Sequence, residues 1–172
     1  MFRTRISRTL STTAALALAI TAFSTAPAFA DESGSSGQAV LRSRLVGSMP
    51  APASPVIAGM IKPGGAPWVN GPSRVRVREN GRITVNIRGL VIPSPPGTGV
   101  NPVASVVATL VCDGMVQDST EPFALSMAGN GHTSDVISVP RHCNAPTVLI
   151  QPAANRTVYI ASAMGEDLPD RH

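Results

Sequence analysis

Between Ser73 and Arg88 the chain alternates apolar and polar residues with a period of two, and it reverses once, at Glu79-Asn80-Gly81. A helix would scatter Val75, Val77, Ile83, Val85 and Ile87 around its circumference. Two antiparallel strands place all five on one face. The register follows from the same pattern. A two-residue Asn-Gly loop would set Arg78 against Ile83 and Arg76 against Val85, mixing charge into the apolar face. A three-residue loop, with Gly81 left-handed and a G1 bulge, sets Val77 against Ile83 and Val75 against Val85. The bulged hairpin is therefore expected. It gathers Arg74, Arg76, Arg78 and Arg82 on the opposite face, with Arg78 across from Arg82.

Other segments carry the same strand signal. Val103–Cys112 (VASVVATLVC) is a β-branched run suited to a central strand, closed by an Asp113-Gly114 turn. Gly89–Ile92 continues or kinks the preceding strand before a Pro/Gly loop at 93–102. Pro122–Met127, Asp135–Val139, Thr147–Gln151 and Arg156–Ala163 read as further strands. They are separated by turn clusters at 128–132, 140–146 and 152–155. Val40–Val46 reads as a short extended or helical piece. From Gly47 to Pro72 the density of Pro and Gly excludes a helix, because Pro removes a donor and Gly costs order. That stretch should run as an extended arm, with Val56–Ile61 as a candidate edge strand and Trp68 turned into the core. The pattern predicts an all-β fold: an antiparallel β-sandwich of Ig-like, Greek-key type. About seven or eight strands are expected, preceded by an extended Gly/Pro-rich N-terminal arm.

Residues 1–30 read as an export signal. Arg3, Arg5 and Arg8 precede the apolar run 14–23, and Ala28-Phe29-Ala30 supplies a small-x-small cleavage site before Asp31. The expected organisation is a signal peptide (1–30), a disordered terminus (31–39), the arm (40–72), the sandwich (73–165) and a tail (166–172). No cysteine follows the cleavage site to take a lipid, and the tail lacks a hydrophobic anchor, so a released extracellular product without a membrane anchor is expected. The formal charge is +4 overall, but three of the fourteen basic residues lie in the signal and none of the ten acidic ones does. The remainder is nearly neutral, and with few aromatics to stack on bases it gives no case for nucleic acid. One Lys against thirteen Arg, with abundant Ala and Pro, is the bias of a GC-rich genome and suggests an actinobacterial source. Cys112 and Cys143, the only cysteines, should form a disulfide in an oxidising compartment. Closing a loop of about 30 residues would stabilise the fold by roughly 3–4 kcal/mol.

Leu45-Val46-Gly47-Ser48-Met49-Pro50, the hairpin ending in Arg88-Gly89-Leu90, and the late aromatic strand Val158-Tyr159-Ile160 resemble the layout of chordin-type (CHRD) secreted β-domains. Such domains carry an A-H-I-H-like strand, and here the matching run, Ala108–Cys112, holds no histidine. The resemblance implies a sandwich and transfers no site. The chain also resembles uncharacterised secreted actinobacterial proteins of similar size, which lend no activity.

Nucleophile elbows, zincin motifs, phosphate-cradling glycine loops and dinucleotide fingerprints are missing. Asp113, Asp118, Glu121 and Asp135 could meet around a calcium ion, but they lack ligand spacing. His142 beside Cys143 makes a poor zinc site. The expectation is therefore no enzyme, no cofactor and no metal. The arginine stripe is the candidate site, facing an anionic cell-wall polymer or another secreted protein. The competing readings are a small hydrolase using His132, His142 and Asp135, and a self-associating envelope protein.

Overall fold

The computed structural model describes residues 37–165. The export segment with Ala28, Ala30 and Asp31, most of the polar terminus, and the tail 166–172 lie outside the described residues. Among those described, twelve strands follow in order: β1 (Ala39–Arg44), β2 (Val46–Gly47), β3 (Lys62–Pro63), β4 (Arg74–Arg78), β5 (Arg82–Ile87), β6 (Ser105–Cys112), β7 (Met115–Ser119), β8 (Phe123–Ala124), β9 (Gly131–Val136), β10 (Thr147–Pro152), β11 (Val158–Tyr159) and β12 (Ala161–Met164). They make an antiparallel β-sandwich. One sheet has the order β1-β4-β5-β9 and the other β2-β12-β10-β6-β7, with β8 also on β6. A small parallel pair, β3 with β11, stands outside both.

The hairpin has the bulged register. Val77 faces Ile83 and Val75 faces Val85, Gly81 has φ 84°, and its N–H donates to the Arg78 carbonyl. The apolar face that this register creates is buried. Leu41, Val75, Val77, Ile83, Val85 and Ile87 of the first sheet pack against Val106, Ala108, Leu110, Val148, Ile150 and Ala163 of the second. Full burial of each large side chain removes enough apolar surface to favour folding by about 1.5–3 kcal/mol. Trp68, Leu90, Leu125 and Ile160 close the ends of this core. Cys112 at the end of β6 is bonded to Cys143 in the loop that leads to β10.

The second sheet is buried on both faces, which is why β6 is a continuous run rather than an alternating one. Its outer side is covered by the Pro/Gly segment, where Ile57 and Ile61 meet Val111, Leu149 and Tyr159. Residues 48–62 are thus an ordered third layer. Tyr159 anchors it through a hydroxyl bond to the Pro55 carbonyl (2.7 Å), and backbone bonds join Lys62 to Thr157 and Gly64 to Tyr159.

Several boundaries differ from the sequence reading. Residues 40–44, expected as the start of the arm, join Ala39 in an edge strand of the first sheet, paired with β4. The terminus is ordered from its last residues, since Glu79 donates its N–H to the Gln38 carbonyl. Val56–Ile61 is a tight turn closed by an Ile57–Ile61 bridge rather than an edge strand. β7 was not anticipated, because Met115-Val116-Gln117-Asp118-Ser119 on a sheet edge has no buried alternate face to reveal it. The strand expected at 135–139 lies at 131–136, where it pairs with β5 while leaving Val136 exposed. The segment 156–163 breaks at Ile160, with β11 going to the covering layer and β12 to the sandwich.

Candidate functional site

The face of the first sheet opposite the core collects the arginines. In an antiparallel sheet directly opposed residues share a face, so the outward positions can be followed across strands. One row runs Arg44, Arg74, Asn86, His132, and the next runs Arg42, Arg76, Thr84, Ser134. Arg78 and Arg82 continue the pattern toward the hairpin loop, and Arg88 extends it beyond Asn86, to which its Nε–H donates. The four arginines expected from the hairpin are therefore together, as the alternation requires. Arg42 and Arg44 join them because β1 adds to the free edge of β4.

Arg42 and Arg44 were legible in part. Leu41-Arg42-Ser43-Arg44-Leu45 has the same two-residue period as the hairpin, but it is short and lies about thirty residues from its partner strand. Nothing local says that it pairs with β4, or on which face.

The rows contain no carboxylate. Like charges stand directly opposite in Arg42–Arg76 and Arg44–Arg74, an arrangement that destabilises a sheet unless an anion offsets it. Glu79, the acidic residue closest in sequence, is exposed in the hairpin loop. The Nε of Arg76 is buried and has no hydrogen-bond partner among the described residues. At the β1 edge the rows open into a groove of about 880 Å³, lined by Arg42, Arg44, Arg74 and Arg76 and, from the second sheet, by Val46 and Met164. A shallower hollow beyond it is bounded by Pro72, Arg74, Asn86 and Arg88.

The acidic candidates are dispersed and occupied. Asp118 accepts N–H bonds from Ser138 and Ser119, and these, the Ser138 bond foremost, hold its carboxyl below the usual value of 3.8. Asp135 accepts from Glu121 N and Val136 N, and Asp113 from Asn144 N. Among the described residues no three His, Cys, Asp or Glu side chains gather as a metal-binding group. His132 occupies the outward row of β9, whereas Asp135, at odd spacing from it, lies on the other face opposite Ile83. His142 is exposed in the loop before β10. The structure does not assemble these three residues into one site.

Compared with protein families, with curated proteins and with solved structures, the chain gives no match.

Proposed function

We propose that this protein is a secreted, non-catalytic binding module of the cell exterior, and that its arginine face holds an anionic polymer such as a phosphate- or carboxylate-bearing wall component. The observation that carries the reading is the register, which places Arg42, Arg44, Arg74, Arg76, Arg78 and Arg82 on one outward face with no carboxylate among them. Charges that only protect sheet edges need to lie on edge strands. Here β4, an interior strand of its sheet, carries three of the six. Guanidinium forks bind oxyanions in a bidentate geometry, so a face of arginines can hold phosphate or carboxylate groups. The disulfide and the apolar run 14–23 with its cleavage site support export.

The test is retention of the chain without its export signal, residues 31–172, on isolated cell wall and on long-chain polyphosphate, at low and high salt. Retention should fall steeply with salt, because each neutralised charge releases a counterion. The double reversal Arg74→Glu/Arg76→Glu should reduce it more than tenfold. Unchanged retention in that variant would overturn the proposal.

A further inference from the structure

We infer that the groove at the β1 edge of this face is a seat for a single anionic amphiphile: a phosphate-type head on the four arginines with an apolar chain along Val46 and Met164. The inference rests on the anion-binding reading above and narrows it to one end of the face. Arg42 with Arg76, and Arg44 with Arg74, are directly opposed pairs two residues apart along their strands. Their backbone anchor points therefore mark a rectangle of about 5 by 7 Å, from which four guanidinium forks can converge on one tetrahedral oxyanion. The buried Arg76 Nε is a donor in that wall without an acceptor among the described residues, so an anion that spreads the guanidiniums gives it one.

The other wall belongs to the second sheet. Val46 on β2 stands opposite Ser162, and Met164 follows two residues on along β12. They are 64% and 48% exposed, and both border the groove. A bare inorganic anion leaves this wall wet. The volume of 880 Å³ is in the range of cavities that enclose a whole organic ligand, roughly 300–1,000 Å³. A linear polyanion does not explain the wall either, since its charges would track the arginine rows toward Arg78 and Arg82, away from Val46 and Met164. A flat membrane would need apolar residues spread over the face, but the remaining large one on its outward rows is Val136, at the far edge on β9.

The experiment uses the chain without its export signal, residues 31–172, and titrates four probes by calorimetry: dodecyl phosphate below its micelle concentration, inorganic phosphate, long-chain polyphosphate, and vesicles of anionic phospholipid. Dodecyl phosphate should bind one to one and at least tenfold tighter than inorganic phosphate. Val46→Ser/Met164→Ser should weaken dodecyl phosphate at least fivefold and leave polyphosphate unchanged. Both positions are exposed, and unaltered Trp68 fluorescence verifies the fold of that variant. Arg42→Gln/Arg76→Gln should weaken both ligands. Equal affinity for dodecyl and inorganic phosphate, an unaffected serine variant, or binding to anionic vesicles without binding to the monomer would each overturn the groove inference. If polyphosphate binding persists in those cases, the broader proposal stands; if polyphosphate is not bound at all, that proposal falls as well.

Discussion

Arg76 is the most crowded charge on the face, and replacing it should make the domain more stable. It stands directly across from Arg42 and two residues from Arg74 and from Arg78 on its own strand. Opposed residues hold their Cβ atoms about 5 Å apart and i, i+2 neighbours about 7 Å. Repulsion through water at such separations, damped by a Debye length of about 8 Å, totals on the order of 1 kcal/mol at physiological salt and about 2 kcal/mol without it. These are upper figures, because long side chains splay apart. Arg76→Gln keeps the first methylenes of the stem and removes the charge. It should raise the urea midpoint by the equivalent of up to about 1 kcal/mol, with the slope m unchanged. The gain should widen in dilute buffer and vanish near 1 M salt, while affinity for polyphosphate falls in the same protein. Trp68, the only tryptophan and 5% exposed, reports unfolding by its fluorescence. A variant that is less stable than the parent, or a gain that ignores salt, would refute the idea that the face holds unrelieved like charge.

Two further outcomes follow from the covalent and the aromatic anchors. Replacing Cys112 and Cys143 together by serine opens a loop with a sequence separation of 31, which should cost about 3.7 kcal/mol by the chain-entropy relation, read as a lower urea midpoint. Burial raises the Tyr159 hydroxyl above its ordinary value of 10.0, so the unfolded chain ionises first. Its contribution is therefore complete below pH 10 and is lost as pH rises from there through the folded value. Tyr159→Phe should remove that alkaline loss of stability. It should also forfeit the bond to Pro55, worth about 1 kcal/mol, and speed proteolysis of the covering layer at 48–62, which is checked by timed digestion with mass spectrometry.

The parts of this fold that were legible in the sequence are those where one local pattern admits a single solution. Val75, Val77, Ile83 and Val85 can share a buried face in one register only, so the bulge at Gly81 and the grouping of Arg74, Arg76, Arg78 and Arg82 follow from the hairpin alone. The pairing of Cys112 with Cys143 needed only that they are the two cysteines of the chain. Residues 1–30, read as an export signal, lie outside the described residues. Strands without a buried alternate face, β7 and β9, carried no such pattern and were missed or displaced by several residues.

Tertiary structure decided what joins across distance. The Pro/Gly segment is ruled out as a helix by composition, yet composition does not say that Ile57 and Ile61 dock on Val111 and Leu149. β1 reaches β4 across that segment, and the pairing turns a four-arginine stripe into a six-arginine face by setting Arg42 against Arg76 and Arg44 against Arg74. The groove needs a further junction, because Val46 and Met164 come from the other sheet. Alternation within a strand fixes which side chains share its face, since the pleat has a period of two. Which strand lies beside it is settled by the burial of the whole core, and that is where the candidate site is made.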